Sequence, residues 1–324
     1  MSAAPVAVPA AGDRPRVGWI GLGRIGAPMA GRVHAAGWPL VLWARHGAAS
    51  LASAGEAGAR LAAGADPSAS SSVTWAESAE ALAAQCDIVC TVVTGPDDVG
   101  ALHERLMPKA RPGTLFIDLS TAAPATAVVS ARLAQRHGLM CLDVPVTGGV
   151  AGAARGTLTG FVGGEAVALE RGRALLGAFA QRLVHCGGSG SGYRTKLVNQ
   201  TLMVGALMGL ADGARLAAAA ADAAAATALQ PALAGGTGAS FLLEGYWSRL
   251  VGAATGEPGP VTFTLALLHK DLSLARAEAQ TLGVPMPLLD AALAAVAAAI
   301  ERHGPEAGVQ MLATPAGPVR QSPA

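Results

Sequence analysis

The chain has 324 residues, enough for two domains and a sizeable core. A formal net charge of +1 gives no electrostatic basis for nucleic-acid or membrane partners, and the 52% hydrophobic content owes much to alanine, so a membrane protein is not expected. Four cysteines, Cys86, Cys90, Cys141 and Cys186, lie in or beside apolar runs without Cys-x-x-Cys or Cys/His spacing; buried thiols and no metal site are expected.

Residues 1–15 open with Ala, Pro and Val and no basic segment, which reads as a disordered tail rather than a signal peptide and predicts a cytoplasmic protein. From Arg16 to Met29 the pattern is strand, tight turn, helix. Gly21, Gly23 and Gly26 stand in G-x-G-x-x-G spacing, with Leu22, Arg24 and Ile25 between them, ahead of helical Met29, Ala30, Val33 and Ala36. In such a turn the first glycine allows the bend, the second lets a pyrophosphate approach the backbone and the third brings helix and strand together. The phosphates then sit on the N–H groups at the positive end of the helix. A second strand, Pro39 to Trp43, ends before Ala44-Arg45-His46, where the adenosine ribose is read. No Asp or Glu is present there to take the 2′-hydroxyl of NAD, whereas Arg45 suits the 2′-phosphate of NADP, so NADP is the expected cofactor, with NAD possible.

Further along, Ala54 to Thr74 reads as a helix end, a loop and a short strand at Val73-Thr74, and Ala76 to Ala84 as a helix. Ile88 to Val93 is a continuous apolar strand of the kind a parallel sheet buries on both faces. Val93 and Thr94 fall at its carboxyl edge, where loops face the ligand crevice of doubly wound folds. Thr114 to Asp118 delivers the segment Asp118 to Pro124 with a helix from about Ala125, and Met140 to Val144 runs into Pro145 to Gly149. Gly160 to Val162 and Val184 to Cys186 add short strands before the glycine run at 187–192. The alternation up to Gly149 predicts a parallel sheet with helices on both faces, and the fold class expected over 16–190 is α/β, a doubly wound Rossmann-type sheet. Strand signals then stop. Helical runs over 195–229, 240–253, 264–282 and 288–303 predict an all-helical domain over 191–324, with its first helix as the spine of the molecule. The most apolar stretch, Leu202 to Leu229, is interrupted by Asp212, Arg215 and Asp222 and reads as a buried or partly buried helix, so no membrane span is predicted. Low charge on these helices predicts a homodimer or homotetramer.

Taken together, the segments 21–30, 118–124, 143–158, Lys196-Leu-Val-Asn-Gln and Lys270-Asp-Leu resemble, in order, those of the β-hydroxyacid dehydrogenases. That family includes 3-hydroxyisobutyrate dehydrogenase, tartronate semialdehyde reductase and, more distantly, 6-phosphogluconate dehydrogenase. The resemblance implies hydride transfer between a nicotinamide and the carbinol carbon of a short 3-hydroxy acid. It makes Lys196 the general acid/base at the substrate oxygen, with Asn199 and Gln200 beside it on one helical face. It assigns the substrate carboxylate to Ser120 and the Thr147-Gly148-Gly149 turn, and Thr121 and Lys270 to the cofactor. Most relatives carry serine where Thr147 stands, and many carry Asn where Gln200 stands, which leaves open which amide does the work.

The resemblance weakens toward the C-terminus. Ser240-Phe241 and Glu306-Ala-Gly-Val-Gln replace the family's Ser-Trp and Asp-x-Ser segments, so the specific substrate is not assigned. Glu244, Tyr246, Trp247 and Arg249 either line the pocket or form an amphipathic helix that packs on a partner subunit. Two other readings stay open: an imine reductase, which resembles this architecture and shares a Trp-x-Arg ending to the second strand but generally lacks the lysine, and a catalytically silent NADP-binding oligomer.

Overall fold

The computed structural model describes residues 14–54, 58, 59, 61, 73–95 and 98–315. Residues 1–13 of the expected 1–15 tail and most of the 54–74 stretch lie outside them. The chain forms two compact units, Met1–Lys196 and Leu197–Ala324.

In the first unit, β1 (Val17–Ile20), α1 (Gly26–Ala35) and β2 (Leu40–Trp43) form the opening βαβ unit. There follow β3 (Val73–Trp75), α2 (Ala79–Gln85), β4 (Ile88–Thr91), α3 (Asp98–Leu106), β5 (Leu115–Asp118), α4 (Pro124–Arg136) and β6 (Met140–Asp143). The strand order β3-β2-β1-β4-β5-β6 is parallel throughout and reverses direction around β1, so the ligand crevice opens beside the carboxyl end of that strand. β4 is buried at all four positions, as its unbroken apolar run requires. Register aligns the strand ends in one row: Trp43, Ile20, Thr91, Asp118 and Asp143 are successive neighbours across the carboxyl edge.

Beyond β6 the sheet is mixed rather than purely parallel. β7 (Val146–Thr147) and β8 (Leu158–Gly163) run antiparallel, β8 also pairs antiparallel with β6, and β9 (Ala180–Gly187) lies parallel to β8. Thr147 ends a strand and Gly149 opens a helix, α5 (Gly149–Arg155), that the glycine pair disguised as plain loop. α6 (Ala166–Leu176) covers the sheet nearby. The core centres on Trp19, fully buried and edge-on to Phe179 at 5.9 Å. Its indole N–H donates to Gly21 O at 3.2 Å and so braces the glycine turn.

The long helix α7 (Ser191–Ala220) starts in the first unit and runs into the second. The helix expected over 195–229 is broken after Ala220, because the Asp222 carboxylate accepts from Ala225 N–H and starts a new helix, α8 (Ala223–Ala228). α9 (Gln230–Ala234), α10 (Phe241–Thr255), α11 (Leu265–Thr281) and α12 (Pro287–His303) complete the unit. Ser240 and Thr264 cap α10 and α11 through their hydroxyls. The core holds Leu207, Trp247, Leu250, Leu268, Leu272 and Val296, and among the described residues no strand belongs to this unit. Contrary to expectation, one helix, α7, is long and apolar enough to cross a membrane by length and composition: its window has mean hydropathy 1.4 and only 22% of it is buried. Val204, Leu207, Ala211 and Ala214 nevertheless make it part of the helical core.

Candidate active site

The glycine turn shows why each glycine is there. Gly21 has φ +99°, and a Cβ on it would fall onto Val92 O; a Cβ on Gly26 would fall onto Gly21 O. Around Gly23 a Cβ would meet nothing within 4 Å, so the space beside this backbone is open to a ligand. Leu22 is buried, Arg24 is exposed and Ile25 packs partly against the core. α1 carries no acidic residue in its first turn to compete with an anion. These features fit a dinucleotide pyrophosphate. At the end of β2, Ala44 packs on the core while Arg45 is largely exposed, with Asp98 at 3.9 Å as a loose ion partner.

On the next strand ends, Ser120 is 4% exposed and its hydroxyl is already engaged: it accepts from Val93 N–H at 2.9 Å and donates to Asp118 Oδ2 at 3.3 Å. Thr94 is exposed and Thr121 half-buried on the loops that follow β4 and β5. Gly148 and Gly149 take φ +125° and +67°, turning the chain directly after Thr147. Lys196 is 8% exposed, and its ammonium donates to Val146 O at 2.9 Å, which brings it to the Thr147–Gly149 turn. Its position at the start of a helix suggests an exposed lysine; the structure buries it.

Three buried residues without an assigned role in the sequence reading, Asp118, Asp143 and Tyr193, hold this region together. Asp118 accepts from the Thr91 hydroxyl, from Ser120 N–H at 2.8 Å and from Tyr193 Oη at 2.6 Å. Asp143 accepts from Gly190 N–H at 2.8 Å through Oδ1 and from Tyr193 N–H at 2.9 Å through Oδ2. Burial pushes the Asp143 carboxyl up to about 6, against the N–H donors of Gly190 and Tyr193 that favour its ionised form, and neighbouring Asp118 adds to the rise. Burial, then Asp118, raises the Tyr193 phenol well above its usual range. Asp118 and Asp143 lie inside the motifs around Ser120 and Thr147, which was the available signal; nothing in the sequence alone marked Tyr193.

In the second unit Gln200 is buried, donates to Asp271 Oδ2 at 2.6 Å and accepts from Asn199 Nδ2 at 3.1 Å. Lys270 pairs with Asp271 Oδ1 at 3.0 Å. Within α10, Trp247 is buried in its own unit and donates to Ala226 O at 3.1 Å, Arg249 donates to Thr262 at 2.9 Å, Tyr246 is half-buried and Glu244 exposed. This helix is amphipathic, and its buried face is taken up by its own chain.

Residues 16–188 match the family model for the NAD-binding domain of 6-phosphogluconate dehydrogenase, and residues 190–315 match the one described as NAD-binding of NADP-dependent 3-hydroxyisobutyrate dehydrogenase. The chain belongs to the β-hydroxyacid dehydrogenase family. A curated relative, the NAD-dependent L-serine dehydrogenase of Pseudomonas aeruginosa, is 32% identical over 86% of this chain and 90% of its own. The solved 3-hydroxyisobutyrate dehydrogenase of Mycobacterium tuberculosis with L-serine is 27% identical with a TM-score of 0.77, covering 93% of this chain and 98% of that one. An imine reductase from a Pseudomonas species, at 17% identity and TM-score 0.57 over 93% and 98%, shares the fold alone. As a β-hydroxyacid dehydrogenase, the protein is an NAD(P)-dependent oxidoreductase with a Rossmann-type domain followed by a helical one.

Proposed function

We propose that the protein interconverts a short 3-hydroxy acid and the corresponding aldehyde acid, with Lys196 as general acid/base and NADP as preferred cofactor. The observation that carries this reading is the buried Lys196 ammonium held 2.9 Å from Val146 O beside the Thr147–Gly149 turn. When bound, the nicotinamide supplies or accepts the hydride. Lys196 handles the proton: as an aldehyde is reduced it hydrogen-bonds the carbonyl oxygen and protonates the forming alkoxide, and in oxidation its neutral amine takes the hydroxyl proton. Thr147 and the backbone at Gly148 and Gly149 receive the substrate carboxylate, the left-handed glycines letting an anionic oxygen reach main-chain N–H groups, and Ser120 joins them when its O–H turns from Asp118 Oδ2 to the substrate. L-Serine is itself a 3-hydroxy acid, so the L-serine and 3-hydroxyisobutyrate named for the two similar dehydrogenases both belong to this class.

On α7, Asn199 rather than Gln200 is assigned to substrate, because the Gln200 amide is committed to Asp271 and Asn199. Lys270, held by Asp271, is assigned to the cofactor. The NADP preference rests on exposed Arg45 directly after β2 and on the absence of Asp or Glu at 44–46. A homodimer is proposed from an apolar stripe on α7: Val198, Leu202 and Leu216 are 57%, 71% and 74% exposed on one face.

NADPH oxidation against 2-methyl-3-oxopropanoate, tartronate semialdehyde and cyclic imines, with NADP reduction by 3-hydroxyisobutyrate and L-serine, tests the reading. Turnover of the acids is expected; turnover of imines alone would replace it with the imine reductase alternative, and no turnover despite cofactor binding would favour a silent binder.

A further inference from the structure

Outside the residues assigned to substrate and cofactor, the first unit contains an unusual arrangement at the start of α7. Two carboxylates from adjacent strand ends, Asp118 and Asp143, which are register partners across β5 and β6, both grip Tyr193. Asp118 takes the phenol hydroxyl, and Asp143 takes the backbone N–H of Tyr193 and, through its other oxygen, that of Gly190. Those N–H groups belong to the opening turn of a long helix, whose positive end an acidic cap stabilises. Asp143 therefore caps α7 from a different element. Lys196 lies three residues after Tyr193, one turn along the same face.

The glycines around this point fit that role. A Cβ on Gly163 would collide with the Asp143 carboxylate, one on Gly192 with Asp143 O and Phe161 O, and one on Gly190, at φ +92°, would press on Pro124 O. The glycine-rich run at 187–192 is the surface that lets a helix start descend onto a buried carboxylate.

We propose that Asp143 and Tyr193, with Asp118, form a clamp that fixes the first turn of α7 on the carboxyl edge of the sheet and so sets the position of the Lys196 ammonium against the Thr147–Gly149 turn. This rests on the assignment of Lys196 as acid/base. The clamp residues position; they do not touch substrate. Ionised Asp143 offers an acceptor to both N–H groups, whereas its protonated form turns one oxygen into a donor, so the grip weakens as pH falls through about 6. The titratable groups facing it are Asp118 on β5, Cys141 on β6 and Tyr193 on α7.

The test compares wild type, Tyr193→Phe, Asp143→Asn and Lys196→Ala in the full-length protein for kcat, cofactor KM and the pH profile of kcat from 5 to 8, with circular dichroism and NADP binding as folding controls. Tyr193→Phe deletes one hydroxyl and serves if Asp143→Asn fails to fold. The expected result is a loss in kcat of roughly tenfold for Tyr193→Phe and roughly ten- to a hundredfold for Asp143→Asn, the scale of a misplaced reacting group, with cofactor KM within about twofold. The acid limb of wild-type kcat near pH 6 should flatten in Asp143→Asn. Loss of activity in Lys196→Ala with unchanged kcat in Tyr193→Phe and an unchanged acid limb in a folded Asp143→Asn overturns the clamp while sparing the lysine. Full activity in Lys196→Ala overturns the lysine assignment and the clamp's purpose with it.

Discussion

Gly23 and Gly26 sit three residues apart and make opposite demands. At Gly26 a methyl group would strike Gly21 O, so Gly26→Ala forces the turn apart and should cost about 1–3 kcal/mol of stability, measured by denaturant unfolding. At Gly23 nothing stands within 4 Å, so Gly23→Ala should melt like wild type while NADP affinity, read by titration of intrinsic fluorescence, falls at least tenfold. Wild-type affinity in that variant would remove the pyrophosphate from the turn. Arg45 carries a separate prediction. Arg45→Glu replaces a charge-assisted partner worth roughly 1.5–3 kcal/mol with a repulsive one, so kcat/KM for NADP should drop at least tenfold while that for NAD holds or rises.

The motif glycines were legible in the sequence because their spacing is fixed by backbone geometry that any such turn shares. The Asp143–Tyr193 contact was not, because it joins residues 50 apart and depends on register between strand ends. Burial of that carboxylate also predicts a stability trend. The folded carboxyl titrates near 6 against an ordinary 3.8, so the native state holds this proton more tightly than the unfolded chain. Its contribution is complete below the unfolded value and is lost as pH rises through about 6. Denaturant midpoints at pH 4.5 and 7 should therefore fall less with rising pH in Asp143→Asn than in wild type.

Among the elements, the starts of α10 and α11 followed the sequence because a hydroxyl caps each of them. Thr264 closes the first turn of α11 and is 4% exposed; Thr264→Ala should cost about 1 kcal/mol in unfolding free energy. The helix expected through 229 stops early because Asp222 caps a new one, a local competition that apolar periodicity does not register. In the same way, β7 and α5 were obscured by glycine, while the strand expected at Gly160 to Val162 is present and longer, as β8. The pair at 148–149 signals a turn correctly but not that a strand enters it and a helix leaves it. Parallel strands were visible because burial on both faces leaves continuous apolar runs, as in Ile88 to Thr91; the antiparallel β8, half-exposed at alternate positions, carries no such run.

Across the whole molecule, composition alone gave a weaker view of α7. α7 turns Val204, Leu207 and Ala211 into the helical core and Val198, Leu202 and Leu216 outward, with Asp212 and Arg215 the charges along that run, so it is long and apolar enough to cross a membrane by length and composition. The proposed self-association would cover the same stripe. Leu202→Glu with Leu216→Glu should convert an oligomer to monomer by light scattering, and a wild-type monomer at micromolar concentration would rule the stripe out as a self-association surface.

The central claim concerns Lys196, and the most direct measurement is single-turnover NADPH oxidation by an aldehyde acid in wild type and Lys196→Ala, with NADPH affinity determined alongside. A general acid contributes roughly a hundred- to ten-thousandfold, so the rate of the chemical step should collapse by that factor while NADPH still binds. A variant that retains the wild-type rate would contradict the assignment of Lys196 and, with it, the proposed chemistry of the site.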